Sequence, residues 1–252
     1  MFEEDFYYIC LKRKKVLYNE IYTSIENGDL DKIKLLLQED IDLNKKNEQG
    51  DSFIHFAISK NQISILKLLL RENIDIEIKN SLGETPLEFA LKNNNTEAMK
   101  VLIKKGANFK DLCINKHFSF IHLIVSNGNV EILELILEKG VNINEQEKIS
   151  GMTPLHIAFF KENKGILDML LKFNANIYLE DYDGNSPISL LSKHKVHYKI
   201  EESLLNYKYM KRYAKYDRFG MGLTEGDLQY YKEVSTMLNK PRCRLLHSLG
   251  MI

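Results

Sequence analysis

Several features are scarce in this chain of 252 residues. Its three cysteines, Cys10, Cys113 and Cys243, lie far apart, so no paired spacing for zinc or redox chemistry is present and a reducing compartment is expected. No apolar run reaches the length of a signal peptide or of a membrane span. The 35 basic and 35 acidic residues cancel, which removes any overall attraction to nucleic acid or anionic lipid. These absences predict a soluble cytoplasmic protein that does not bind membranes.

Motifs of catalysis are also missing. The chain has no Gly-rich phosphate loop, no His-Glu-x-x-His pair and no nucleophile motif with a nearby base. The carboxylates are scattered in a way that is typical of solvated helix surfaces. The sequence therefore predicts that the protein is not an enzyme, with no catalytic residue, cofactor or metal.

The neutral net charge conceals two oppositely charged parts. Residues 1–192 carry 23 Lys and Arg against 29 Asp and Glu, whereas residues 193–252 carry 12 against 6. The basic, tyrosine-rich stretch 193–218 offers cations and stacking partners, so nucleic-acid binding is an alternative, but no recognised nucleic-acid motif accompanies it. Lys12 to Lys15 form a short basic run that leaves the nucleus open as a second compartment.

A repeat of 33 or 34 residues dominates the middle of the chain. The first residues of five similar segments are spaced 33, 34, 34 and 33 apart. The segments are Ser52-Phe-Ile-His55, Thr85-Pro-Leu-Glu88, Ser119-Phe-Ile-His122, Thr153-Pro-Leu-His156 and Ser186-Pro-Ile-Ser189. Apolar triplets such as Leu68–Leu70 and Leu135–Leu137 follow in the same phase, and Leu35–Leu37 adds a degenerate first repeat. Such a period predicts a solenoid of stacked units.

Each column of the repeat has a physical reason. A Ser or Thr hydroxyl accepts a hydrogen bond from the first turn of a helix, and a following proline fits the first helical position. A Gly or Asn after each apolar triplet (Asn73, Gly106, Gly140 and Asn174) supplies the left-handed residue that ends the second helix. Glycines upstream of the Ser/Thr column permit positive φ in the turn. Each unit is therefore predicted to be a turn followed by two short helices.

These residues resemble the ankyrin repeat, whose hallmark is a Gly-x-Thr-Pro-Leu-His box in a unit of 33 residues. Gly151-Met-Thr-Pro-Leu-His-Ile-Ala158 matches that box almost completely, and the resemblance covers roughly residues 18–205. It implies an all-α repeat solenoid of stacked helix pairs with β-turn fingers. Phe53 and Phe120 replace the proline, Glu88 replaces the histidine, and one extra residue falls in each of the connections 107–117 and 141–151.

The histidines of the box, His55, His122 and His156, are predicted to be structural. They occupy one column, so each faces its own helix start, and neighbouring helices lie roughly 8–10 Å apart, too far for one ion to join them. In ankyrin repeats this histidine supports the turn by hydrogen bonds.

Three segments are predicted. Residues 1–17 form an N-terminal helical extension, residues 18–205 form an array of five to six repeats with degenerate ends, and residues 206–252 form a helical cap or docking segment. A cap is expected because an end repeat otherwise exposes its core face. As an alternative, Cys243 to Leu249 faintly resembles the first helix of a SOCS box, which would make the protein a substrate receptor of a ubiquitin ligase. Asn239 stands where that box expects a leucine.

The resemblance implies a protein-protein interaction module, acting as a scaffold, adaptor or inhibitor. Ankyrin arrays usually bind partners through the finger tips and the concave face of the first helices. The residues at such positions that we expect to contact a partner are Phe118, Met152, Phe160, Tyr182, Asp183 and Asn185. Large side chains where water is expected mark contact sites. The alternative is that Phe118 and Met152 pack locally beneath the two longer connections.

Abundant Lys, Asn and Ile are typical of an AT-rich genome, such as that of an endosymbiont, a large DNA virus or a protist. A host protein and a ubiquitin-ligase component are therefore the two candidate partners.

Overall fold

The structure is a computed structural model that describes residues 2–110, 112–114, 117–193, 203–204 and 207. Within these residues, helices α1 to α10 form five consecutive pairs, one for each of the first five repeats. The pairs are α1 (Phe2–Asn27) with α2 (Leu30–Leu36), α3 (Phe53–Ser59) with α4 (Ile63–Leu69), α5 (Pro86–Lys92) with α6 (Thr96–Lys104), α7 (Phe120–Asn127) with α8 (Val130–Glu138), and α9 (Pro154–Phe160) with α10 (Lys164–Lys172). The predicted solenoid of stacked helix pairs is confirmed.

Stacking of the pairs buries one continuous apolar core. First helices contact first helices, as in α3 with α5 and α7 with α9, while second helices contact second helices from α2 through α10. The buried residues run from Ile21 in α1 to Leu204 and form a single cluster. A unit cannot bury these faces alone, so each repeat depends on its neighbours.

Helices α3, α7 and α9 each begin at the Ser/Thr-His box. Ser52 and Thr153 are N-caps whose hydroxyls accept from the backbone N–H of His55 and His156. The imidazole then joins two repeats, because Nε2 of His156 lies 2.9 Å from the carbonyl oxygen of Asn185 and Nδ1 lies 2.8 Å from the Thr153 hydroxyl. A carbonyl oxygen only accepts, so Nε2 carries the proton and Nδ1 accepts.

The other two histidines of the column make the same pair of bonds. In His55, Nδ1 lies 2.8 Å from the Ser52 hydroxyl and Nε2 lies 3.0 Å from the Glu84 carbonyl oxygen. In His122, the partners are the Ser119 hydroxyl and the Glu145 carbonyl oxygen, at 2.8 and 3.0 Å. The predicted structural role of these histidines is confirmed by this geometry.

Residues with positive φ occur at more positions of the repeat than the sequence predicted. Gly106, Gly140 and Asn174 end their second helices with φ of 98°, 77° and 65°. The prediction for Asn73 is wrong, because it is not among the residues with positive φ. A further column, not predicted, lies between the two helices of each pair: Gly28, Asn61, Asn94, Gly128 and Glu162. There the chain reverses within two or three residues, which positive φ makes feasible.

The other two predicted segments lie at the two ends of the array. The expected N-terminal extension and the first helix of the first repeat form one helix, α1, with no break near residue 17. At the other end, α11 (Leu190–Lys193) begins a further unit. The predicted cap over residues 206–252, apart from Tyr207, and the ligase-like stretch Cys243 to Leu249 lie outside the described residues.

The connection between α6 and α7 contains a short hairpin that the sequence did not predict. Strand β1 (Cys113–Ile114) pairs antiparallel with β2 (Phe118–Ser119), with Ile114 opposite Phe118. Nearby, Phe109 and Leu112 are buried in the core. Across this connection α5 and α7 contact each other less than the other neighbouring first helices do. None of the described helices is both long enough and apolar enough to cross a bilayer.

Because the core is continuous through the stack, truncating one of its side chains should lower the stability of the neighbouring repeats as well. Leu69 and Ile136 are both 0% exposed. Leu69→Ala and Ile136→Ala should each lower the free energy of unfolding by about 2–5 kcal/mol, the range for buried Leu and Ile truncation. Urea unfolding followed by circular dichroism measures this change. As a control, Leu35→Ala removes a leucine that is 66% exposed and should have little effect. Equal midpoints for all three variants would refute the core assignment.

The buried histidines predict a loss of stability in mild acid. Burial lowers the pKa of His55, His122 and His156, and the hydrogen bonds to the next repeat only partly oppose this effect. Because the folded pKa lies below the unfolded value of about 6.5, the contribution is complete above that pH and is lost as pH falls through the folded values. The free energy of unfolding in urea should therefore be lower at about pH 5 than at about pH 7.5.

A histidine variant provides the control for this pH effect. His156→Gln should be less stable than wild type near neutral pH, because the bond to the Asn185 carbonyl is weakened, but it should lose less stability on acidification. A wild-type stability that stays constant over the same pH interval would contradict the assignment of neutral, buried imidazoles.

Candidate protein-binding groove

A groove of about 300 Å³ lies between the fourth and fifth repeats. One wall consists of the first helices α7 and α9, and the other wall consists of the ends of the two fingers that precede them. We call it the apolar groove. Its lining residues are Phe118, His122, Leu123, Ser126, Met152, Ile157, Phe160 and Lys161. Three of the six residues predicted to bind a partner are thus brought together: Phe118, Met152 and Phe160.

Phe118 reaches the groove from the hairpin of the α6–α7 connection. Its backbone pairs with Ile114, so its position is determined by the strand register. The ring is half-buried, packs against the core and meets the ring of His122 edge-on, with centroids 6.3 Å apart. Phe118 therefore combines local packing, which was the alternative prediction, with a surface that faces the groove.

Met152 is held by a finger that folds around a buried carboxylate. Glu147 is 1% exposed, and its side chain accepts from the backbone N–H of Ile149 at 2.8 Å and of Ser150 at 2.5 Å. The N–H of Glu147 in turn donates to the Met152 carbonyl oxygen at 3.0 Å. In two other fingers the equivalent residue is Asn80 or Asp181, each with a shorter side chain. The longer side chain of Glu147 thus spans a finger that contains one extra residue.

The charge of Glu147 is stabilised within this finger. Burial alone would raise the pKa of its carboxyl, but hydrogen bonds from the Ser150 hydroxyl and from three backbone N–H groups outweigh burial and lower the pKa. The carboxylate is therefore ionised at neutral pH and acts as a strong acceptor. The finger beside the groove is preorganised by this network.

Phe160 and Lys161 form the open end of the groove at the end of α9. The Phe160 ring is 48% exposed and packs edge-on against the buried ring of Phe159, with centroids 5.5 Å apart. Lys161 is the C-cap of the helix and is exposed. An exposed aromatic ring beside a cation provides an apolar contact surface with a charged rim.

The other three predicted residues lie on the fifth finger and do not line the groove. Tyr182 is 65% exposed, and its ring covers Gly151 so closely that a Cβ there would lie 2.5 Å from Tyr182 Cδ1. Its N–H donates to the Ser150 carbonyl oxygen at 2.8 Å, which joins the two fingers. Asn185 serves the scaffold, because its carbonyl accepts from His156 and its N–H donates to Asp181. The Asp183 side chain is exposed.

Leu123, Ile157 and Lys161 were missed by the sequence reasoning. Leu123 and Ile157 belong to the column that directly follows the histidine of the box, together with Phe56 and Phe89. All four are apolar, and three of them are only partly buried. This column lies one helical turn from the position of Phe160, so helical spacing applied to that position could have found it.

The chemistry of the groove is that of a contact surface. His122 is occupied with the Ser119 hydroxyl and the Glu145 carbonyl, so its imidazole is not available as a base. Within the described part of the chain, no group of three His, Cys, Asp or Glu side chains could hold a metal ion. Apolar walls with one cation at the rim are suited to apolar side chains of a partner.

Two solved structures contain chains with the same fold. An ankyrin repeat domain from Acinetobacter baumannii AYE matches with a TM-score of 0.62 and 23% identity, over 75% of this chain and 97% of that one. A second match is a chain in the structure of a predatory endopeptidase from Bdellovibrio bacteriovorus in complex with an immunity protein. It has a TM-score of 0.55 and 29% identity, over 69% of this chain and 90% of that one.

Comparison with family models agrees with the architecture. The model described as ankyrin repeats (3 copies) matches residues 21–113, and the model described as ankyrin repeats (many copies) matches residues 121–171. A search of curated proteins found no match. The two family matches together cover more than half of the chain and coincide with the stacked helix pairs. This chain is a member of the ankyrin repeat family.

Proposed function

We propose that this protein is a non-enzymatic binding module, acting as a scaffold, adaptor or inhibitor, that receives apolar side chains of a partner protein in the apolar groove. The observation that carries the proposal is the convergence of Phe118, Met152 and Phe160 on one cleft of about 300 Å³. Aromatic and thioether side chains are frequent anchors of protein interfaces. We also propose that it acts in the cytoplasm, as the widely spaced cysteines predict.

The groove is suited to binding because its walls are already ordered. The hairpin register positions Phe118, the Glu147 network positions Met152, and α9 positions Phe160. A preorganised surface loses little conformational entropy when a partner binds. The free energy gained from burying the apolar walls is therefore available for affinity.

Exposed residues beside the groove extend the proposed interface. Ile149 and Tyr182 are large apolar residues that are 63% and 65% exposed on the fourth and fifth fingers. Asp183 adds a charged group at the fifth finger tip, and Lys161 adds one at the open end of the groove. Apolar centres with charged rims are the usual composition of protein interfaces.

A structure with a similar chain supports the proposal that the partner is a protein. The Bdellovibrio bacteriovorus structure that shares this fold is a complex of an endopeptidase with an immunity protein. By analogy with that complex, the class of partner that we propose here is another folded protein. Its identity as a host protein, as the composition indicates, is part of the same proposal.

Replacing groove residues should separate binding from stability. Phe160→Ser should change the free energy of unfolding by no more than about 0.5 kcal/mol, because the residue is among the exposed ones, at 48%. It should weaken partner binding by about 2 kcal/mol or more if the ring is a central anchor. Affinity purification with quantitative mass spectrometry identifies the partner, and calorimetry then measures the two affinities. Met152→Ser should act in the same direction.

Tyr178→Ser is the matched control for this experiment. Tyr178 is an aromatic residue that is 58% exposed and does not line the groove. This variant should retain the partner that Phe160→Ser loses. The proposal fails if Phe160→Ser melts at a markedly lower temperature but binds normally, or if both variants lose the partner to the same extent.

A further inference from the structure

A second and larger groove, of about 850 Å³, lies at the N-terminal end of the array. One wall is a face of α1 that includes Lys15, Tyr18 and Tyr22, which follow the spacing of one helical stripe. The opposite wall is the first finger, residues 45–49, and Phe56 of α3 lies between them. We call this the basic groove. Its first wall exists because α1 is 26 residues long, whereas α3, the next first helix, has 7.

Tyrosine hydroxyls fasten the two walls together. Tyr22 donates to the Asp51 carbonyl oxygen at 2.8 Å, and its hydroxyl also lies 3.3 Å from the Lys45 carbonyl oxygen. Tyr18 accepts from the N–H of Asp42 at 3.1 Å. Burial raises the pKa of Tyr22, with a further contribution from the charge of Asp51, so the hydroxyl keeps its proton. The shape of the groove is therefore held by specific bonds.

The groove has a strong excess of positive charge. Five lysines and two glutamates line it: Lys14, Lys15, Lys45, Lys46, Lys60, Glu26 and Glu48. Lys60 is neutralised by Glu26 at 2.5 Å, and Lys14 lies 3.6 Å from Asp40. Lys15, Lys45 and Lys46 form no ion pair within the part of the chain whose side chains the structure describes. Three unpaired cations from two walls thus face one space, which they share with the single carboxylate of Glu48.

An aromatic surface accompanies these cations. The ring of Tyr22 packs on Phe53 and on Phe56, with centroids 4.6 and 5.2 Å away. The Lys60 ammonium lies 5.2 Å from the centre of the Phe56 ring. An occupant would therefore meet both cations and an apolar surface. This combination suits a peptide that mixes carboxylates with apolar side chains.

We propose that the basic groove binds an acidic segment of a partner protein, whose carboxylates contact Lys15, Lys45 and Lys46. Charge complementarity selects this occupant, since unpaired cations in a cleft attract anionic segments and raise association rates. A nucleic acid is disfavoured because the basic surface is short. Beside it, Arg13 and Lys14 are paired with Glu39 and Asp40, whose carboxylates would repel a continuing phosphate backbone. This site is separate from the apolar groove and does not depend on it.

Fluorescence anisotropy with the full-length protein tests the proposal. The probe is a fluorescein-labelled short peptide of Glu and Asp around a Leu-Phe pair, and the comparison is the same peptide with Gln and Asn. The acidic peptide should bind at least about tenfold more tightly than the neutral one, and its affinity should fall as NaCl is raised from about 0.05 to about 0.5 M. Equal affinities for the two peptides would overturn the proposal.

Charge-reversal variants test the location of the site. The double variant Lys45→Glu with Lys46→Glu, and separately Lys15→Glu on the other wall, should each weaken acidic-peptide binding by about tenfold or more. All three lysines are exposed, so circular dichroism melts should match wild type. The matched control is Lys79→Glu, which occupies the position of Lys46 in the next repeat and does not line the groove.

The two remaining outcomes both decide against the proposal. Equal losses for Lys79→Glu and for the groove variants would mean that binding reflects overall charge and not this cleft. A single-stranded oligonucleotide that binds as tightly as the acidic peptide, with the same dependence on Lys45 and Lys46, would identify a general polyanion surface.

Discussion

The imidazole of the Ser/Thr-His box is the contact on which the geometry of the array depends. Its Nδ1 accepts a hydrogen bond from the hydroxyl that caps its own helix, and its Nε2–H donates a hydrogen bond to a backbone carbonyl of the following repeat. One side chain therefore sets both the start of a first helix and the position of the next finger. Both grooves lie between fingers and first helices. At the apolar groove, the bond of His122 to the Glu145 carbonyl positions the fourth finger. At the basic groove, the hydroxyl bonds of Tyr18 and Tyr22 take this role. The apolar core supplies most of the stability without directional preference.

Repeat three lacks this contact. Glu88 replaces the histidine and closes a capping box within its own helix, since its carboxylate accepts from the Thr85 N–H at 2.7 Å. It cannot donate to the next repeat as an imidazole does. The following connection is one residue longer, forms the β1–β2 hairpin and buries Phe109 and Leu112. That irregular connection delivers Phe118 to the apolar groove, so a departure from the repeat creates the surface that is proposed to bind.

The sequence predicted those features that depend on neighbours within one repeat. Helix starts, helix ends and the core register follow from local capping and periodicity, so Ser52, Gly106 and Leu69 could be assigned without coordinates. Features that depend on contacts between repeats were less accessible. Tyr182 was predicted to bind a partner but lies on a finger outside the groove. Its N–H bond to Ser150 and the packing of its ring over Gly151 hold it there. The left-handed conformation predicted for Asn73 was wrong, because asparagine is found in several turn conformations.

The basic groove could not be predicted from the sequence either, because it too depends on a contact between separate segments. Lys15 and Lys46 are far apart in sequence, and only the packing of a long α1 against the first finger brings them to one cleft. In a solenoid each groove depends mainly on its immediate neighbours, so substitutions at one end leave the other end intact. The array can therefore carry an electrostatic site at its N-terminal end and an apolar site between repeats four and five, each adjusted independently. Long-range attraction would act at the first site and desolvation of aromatic side chains at the second, so a partner that used both would gain association rate from one and residence time from the other.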